Sequence, residues 1–224
     1  MRSSTLTHHR APKLAATAFG IALVVTGCAS GQTTTGSDQP TSSSTTSSST
    51  SAEPVQCGGV SIDHQASITR SSDIVINAPL QRVWDVHTAV ESWNQWQQAV
   101  LTIERLEQGP FSAGAQFRWT TPVPESQLSP ADTLTITSSV KQVDPRKCVI
   151  WEGPAVGKSI TIDRGVHLWT FSEADGKTSV HTEESWAAPL LDSLQGPDHD
   201  AAAAMLGGGL DLWLQALKTK VETP

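Results

Sequence analysis

The chain has no tyrosine, and only four phenylalanines stand beside eight tryptophans. Its aromatic surface is therefore carried mostly by indoles, whose N–H needs a partner wherever it is buried. No apolar run reaches the roughly 18–20 residues of a membrane-spanning helix; the best candidate, Leu14 to Val25, is short. No acidic residue precedes Asp38, and no Lys/Arg cluster of the kind that tracks phosphates follows residue 27. Nucleic acid is therefore not an expected partner. There is no CxxC, and the seven histidines lie apart except for His8-His9, so neither a metal centre nor another cofactor is expected.

What is present is ordered along the chain. Arg2, Arg10 and Lys13 lead into the short apolar run, which ends in Val25-Thr26-Gly27-Cys28. A basic start, a brief apolar core and a small-residue end are the marks of a secretory signal peptide. The four residues resemble a bacterial lipobox, which implies a signal peptide over 1–27 and lipidation of Cys28; the alternative is an ordinary cleaved signal with an incidental cysteine. No Arg-Arg pair precedes the core, so the general secretory route is expected. Stable anchoring takes about two acyl chains, and a diacylglyceryl cysteine supplies them. The expected location is the extracytoplasmic face of the cell membrane.

Residues 41–51 are all Ser or Thr, flanked by Gly, Gln, Pro and Asp. Such a composition cannot bury enough apolar surface to offset its ordering entropy. Residues 28–57 read as the lipidated cysteine and a tether, whose residues 29–54 would span roughly 25–31 Å as a coil. Beyond the signal, 12 basic groups face 22 acidic ones, so the exported chain is acidic. Cys57 and Cys148 remain as a pair in a chain bound for an oxidising space. A disulfide is the default reading, with two buried thiols as the alternative.

Residues 58–224 change to alternating apolar patterns and turn signals. "SSDIVINAP" predicts a strand ending at Asn77, and Pro79 suits a first helical turn. Two short helices over "PLQRVWDVHTAVESWNQW" and about six β-rich runs bounded by Gly, Pro or Asp follow. Near the C-terminus Leu206, Leu210, Trp213, Leu214, Leu217 and Val221 recur on one helical face. Gly207-Gly208-Gly209 lie inside that pattern. At about 1 kcal/mol each against alanine, they predict a break into a short and a long helix, or else a close approach to the backbone.

This order of elements, and the segment Asp73–Trp96 with Ala78-Pro79, Trp84, Trp93 and Trp96, resembles the START-like (SRPBCC, helix-grip) superfamily. That superfamily includes polyketide cyclase/dehydrase and lipid-transport proteins. "CVIWEGP", "GVHLWTFSEADGKTSVHTEESW" and "LDLWLQALK" continue the likeness, which spans residues 66–222. It implies an α+β helix-grip fold: a curved antiparallel sheet wrapped around a long C-terminal helix, with two short helices after strand 1. It also implies an apolar cavity between sheet and helix for a lipid, sterol or polyketide-like molecule. Such a likeness speaks for fold and says little about chemistry.

Period-two alternation indicates which side chains face that cavity. Phe117 and Trp119 share one strand face, and Val149 and Trp151 another. Asp175-Gly176 is a strong two-residue turn signal, and a hairpin centred there opposes Phe171 to Val180, Trp169 to Thr182 and His167 to Glu184, with Trp186 beyond. The expected ligand-facing set is therefore Phe117, Trp119, Trp151, His167, Trp169, Phe171, Glu184 and Trp186, although core packing explains any single tryptophan equally well. Trp84, Trp93, Trp96 and Trp213 read as helix-packing residues. His167 beside Glu184 could move a proton, orient a ligand's polar group, or simply fix sheet register. Three functions stay open: a membrane-anchored, monomeric binding protein for a small hydrophobic molecule, a cyclase/dehydrase-like enzyme using His167 and Glu184, and an envelope interaction module filled by its own tryptophans.

Overall fold

The computed structural model describes residues 54–223. Cys28 and the expected signal peptide, and nearly all of the expected tether, lie outside that range. The elements are β1 (Ile68–Ile76), α1 (Leu80–Thr88), a 3-10 turn (Val90–Gln95), β2 (Thr102–Arg105), β3 (Gln116–Val123), β4 (Asp132–Asp144), β5 (Cys148–Val156), β6 (Thr161–Ala174), β7 (Lys177–Ala187), α2 (Pro189–Ser193) and α3 (Gly196–Glu222). The seven strands form one antiparallel sheet in the order β1-β7-β6-β5-β4-β3-β2. The helix-grip arrangement implied by the sequence is the one present.

Two devices set the sheet's geometry. Asp175 and Gly176 both take left-handed backbone, φ 52° and 69°, as the tight turns that match strand twist require. The β6–β7 register follows, with Phe171 opposite Val180, Trp169 opposite Thr182 and His167 opposite Glu184. Irregularities at Val140/Gln142 and Gly153/Ala155 interrupt the ladders on either side of β5, and such bulges bend a strand. Gly153 sits at the second, where a Cβ would overlap the Thr137 carbonyl oxygen.

α3 packs along β1, where Lys218 Nζ donates to the Val75 carbonyl oxygen at 2.8 Å and Ser72 Oγ donates to the Asp211 carboxylate. It is continuous through Gly207-Gly208-Gly209, so the expected break does not occur. Leu206, Leu210, Leu214 and Leu217 are all buried on one face. Burying each contributes about 1.5–3 kcal/mol, which outweighs about 1 kcal/mol per glycine. A Cβ would meet only the Arg70 side chain, at 3.7 Å, at Gly207, and nothing within 4 Å at Gly208 or Gly209.

The core between sheet and α3 has two halves. One is aromatic, built on Trp93, Phe117, Trp151, Trp169 and Trp213; the other is aliphatic, built on Ile68, Ile162, Leu191, Leu206 and Leu210. A third cluster lies on the opposite face of the sheet. There Cys57 and Ile62 cover Ile150, Val166 and Leu168, and a Cys57–Cys148 disulfide fixes the segment across a separation of 91 residues. Cys57 thus belongs to the packed unit rather than to the tether.

Candidate functional site

β6 and β7 place His167, Trp169 and Phe171 beside Glu184, Thr182 and Val180 on the sheet face that looks toward α3. Neighbouring β5 adds Trp151 opposite His167 and Val149 opposite Trp169. Phe117 and Trp119 come from β3 on the same face, with the Trp119 Nε1–H donating to Ser138 Oγ at 3.3 Å. Phe117, Trp151, Trp169 and Phe171 are buried, whereas Trp119 and Trp186 keep partial exposure. The opposite faces of β6 and β7 carry Thr170, His181 and Glu183, and there His181 bridges Asp73 (2.8 Å) and Glu183 (3.0 Å). Both carboxylates raise the His181 pKa against the opposing effect of burial, which is the largest single influence on it.

The inner histidine is held in one tautomer. Thr182 Oγ1 donates its only proton to the Leu168 carbonyl oxygen at 3.1 Å and is 2.8 Å from His167 Nε2. A hydroxyl has one proton to give, so Nε2 carries the hydrogen and donates to Thr182. The other ring nitrogen, Nδ1, lies 3.3 Å from Glu184 Oε2. Glu184 Oε1 meanwhile accepts from the Trp186 indole N–H at 2.7 Å. With the hydrogen on Nε2, Nδ1 is a bare acceptor, and Glu184 in its acid form is the donor nearest to it.

Burial shifts both groups toward their uncharged forms. It pushes the Glu184 carboxyl up to about 7, opposed by the Trp186 hydrogen bond. It lowers His167 to about 3, with a further contribution from nearby His87. Desolvation disfavours both charged forms, so below about pH 7 a neutral carboxylic acid stands beside a neutral imidazole. The pair can donate a proton, accept one through the imidazole, or hydrogen-bond an uncharged polar group.

The inner wall also contains residues that sequence reasoning assigned elsewhere or missed. Trp93 and Trp213, expected only to pack helices, stand edge to face at 4.9 Å, and Trp93 also meets Phe117 and Trp151. His87, on α1, is fully buried and lies against Trp169 (4.5 Å), Phe171 (5.1 Å) and Trp151 (5.9 Å). Burial takes its pKa down to about 3. Its signal was legible: it follows Val83 by four residues and Trp84 by three, on the apolar stripe of α1. Neither His87 nitrogen has a hydrogen-bond partner, and neither has the Trp169 indole N–H. Each buried polar atom left so costs about 1–3 kcal/mol.

The rings of this half pack against one another, with centroids 4.5–6.5 Å apart. Two open clefts flank it, neither lined by His167 or Glu184. One, of about 550 Å³, runs between Trp96–Ala99 and the Leu212–Thr223 side of α3; the other, of about 390 Å³, lies beside Asp73 and His181. Among the described residues no group of three or more His, Cys, Asp or Glu could hold a metal ion.

The fold has many solved counterparts. A START superfamily protein from Mycobacterium smegmatis superposes with a TM-score of 0.53 at 13% identity, over 69% of this chain and 97% of that one. A protein from Thermus thermophilus gives 0.53 at 17% identity, over 68% and 96%. The Zhui aromatase/cyclase from Streptomyces sp. R1128 gives 0.50 at 17% identity, over 69% and 93%. No curated protein matches the chain in sequence. The family model described as polyketide cyclase / dehydrase and lipid transport matches residues 65–222. With the sheet, the gripped helix and the apolar inner wall all in place, the chain belongs to the polyketide cyclase / dehydrase and lipid transport family.

Proposed function

We propose that this protein is anchored outside the cytoplasm through lipidated Cys28 and binds a small hydrophobic molecule between its sheet and α3, sequestering or passing it on. The family and its START-like neighbours support a domain for hydrophobic ligands. The observation that carries the reading is the Glu184–His167 pair, a neutral acid and imidazole placed inside an aromatic wall. A ligand's polar group exchanges hydrogen bonds with that pair while its apolar body displaces rings. A lipid anchor favours binding because it holds the domain where apolar molecules are concentrated. No helix among the described residues is long and apolar enough to cross a membrane, and the anchor rests on the sequence pattern at Cys28.

An uncharged carboxyl in this wall also favours a second reading, a cyclase/dehydrase-like enzyme in which Glu184 is the general acid, reprotonated from solvent, with neutral His167 beside it as the acceptor of a proton. Close ring packing favours a third, an interaction module with a filled interior. Fractionated membrane lipids titrated into the full chain separate these readings. Binding parts Trp93, Trp151, Trp169 and Trp213 and so changes the near-ultraviolet circular dichroism. A fraction recovered chemically unchanged supports binding, a converted one supports the enzyme, and no active fraction supports the filled module. Incorporation of an alkyne fatty acid by the wild type but not by Cys28→Ala tests the anchor.

A further inference from the structure

We infer that His87 and the Trp169 indole N–H form a second polar subsite in the interior, which takes an uncharged hydroxyl of the ligand. The inference rests on the proposed interior binding. Its basis is the set of polar atoms the fold leaves without partners: both His87 nitrogens and Trp169 Nε1, on rings whose centroids are 4.5 Å apart. The rings belong to fully or almost fully buried side chains, at 0% and 1% exposure. Around them stand the rings of Trp93, Trp151, Phe171 and Trp213, and His167 lies 4.9 Å from Trp169.

The donor and acceptor inventory defines the guest. Trp169 offers one N–H; neutral imidazole offers one N–H and one lone pair. A hydroxyl matches both, because its oxygen accepts from an N–H and its hydrogen donates to the free ring nitrogen. A carboxylate accepts only, and its charge would be desolvated here without a counter-ion. The subsite adjoins Glu184–His167 but uses other atoms: there Thr182 and Trp186 already occupy His167 Nε2 and Glu184 Oε1, and Nδ1 and Oε2 face each other. Together the two predict a ligand with an apolar body and at least two polar points.

The test uses two probes of similar shape, 2-naphthol and naphthalene, titrated into the full chain and read by calorimetry. The wild type is expected to bind 2-naphthol at least tenfold more tightly, and His87→Phe to abolish that preference while retaining naphthalene. If His87→Phe does not fold, Trp169→Phe and the proton shift of the Trp169 indole N–H on adding each probe carry the same test. A preference that survives His87→Phe but disappears in Glu184→Leu overturns the subsite and leaves interior binding intact. Binding of neither probe overturns the subsite together with the interior-binding reading for molecules of this size. Equal binding of both probes by the wild type overturns the subsite alone.

Discussion

Glu184 Oε2 faces His167 Nδ1 across 3.3 Å, and the hydrogen bond from His167 Nε2 to Thr182 leaves Nδ1 a bare acceptor. The carboxyl accepts from Trp186 on one oxygen and, in its acid form, presents the other to that nitrogen. A glutamine can fill both roles, since its NH₂ donates to Nδ1 and its oxygen accepts from the indole. Near pH 4.5 Glu184→Gln is expected to stay within about 0.5 kcal/mol of the wild type, and to gain on it as pH rises toward 7, because only the carboxyl must take up a proton on folding. Glu184→Leu strands the Trp186 N–H and the His167 nitrogen and is expected to lose about 1–3 kcal/mol. Urea denaturation reads both, and equal losses would contradict the assigned bonds.

The pH dependence of stability isolates His87. Its pKa falls from 6.5 to about 3 on folding, while His167 falls from 6.5 to about 3 and Glu184 rises from 4.5 to about 7. Between about pH 4.5 and 6.5 the unfolded chain holds a proton on each histidine and none on Glu184, and the folded His167–Glu184 pair holds one. The pair then cancels, and the unfolded state binds one more proton, on His87. These groups make stability rise with pH in this window by about 1.4 kcal/mol per unit, and fall as pH drops. The difference between wild type and His87→Phe is expected to show that slope. Parallel profiles would mean that His87 is not buried neutral.

Glycine substitutions separate two kinds of position. At Gly208 a Cβ meets nothing within 4 Å on a continuous helix, so Gly208→Ala is expected to raise stability by up to about 1 kcal/mol. At Gly153 a Cβ overlaps the Thr137 carbonyl, and Gly153→Ala is expected to destabilise severely, as steric conflict with backbone in a core does. Thermal melts of the two variants check the opposite signs.

The strap over the outer sheet face depends on its disulfide. Cys57 and Cys148 close a separation of 91 residues, and chain entropy puts the stabilisation at ~4–5 kcal/mol. Cys57→Ala is expected to lose a large part of that and to gain hydrogen exchange at Ile62, which packs beside it on Ile150 and Leu168. Unchanged stability after reduction would show that the strap is held by packing alone.

These outcomes also show which features can be read from sequence. The β6–β7 register was legible because Asp175-Gly176 admits one tight turn and period-two alternation does the rest. Helices are less informative: periodicity says that Trp93, Trp213 and His87 are buried, but not that they meet the inner face of a sheet formed from distant residues. The triple glycine misled for a related reason. Local propensity is a weak term, and the leucines on either side bury one continuous face of α3 against other elements. The hydrogen bonding of Glu184 and His167 depends on which hydroxyl and indole reach them, and that is a property of three dimensions.

The central claim is that the aromatic interior takes a small hydrophobic molecule whose polar group engages Glu184 and His167. The most direct test is organic extraction and mass spectrometry of full-length protein purified from its producing membranes, beside Glu184→Leu. The account predicts one hydrophobic species, near one per protein and distinct from the bulk lipids, that is depleted at least tenfold in the variant. Wild-type protein carrying nothing beyond its own anchor and bulk lipid, or the same species at the same level in both, would contradict it.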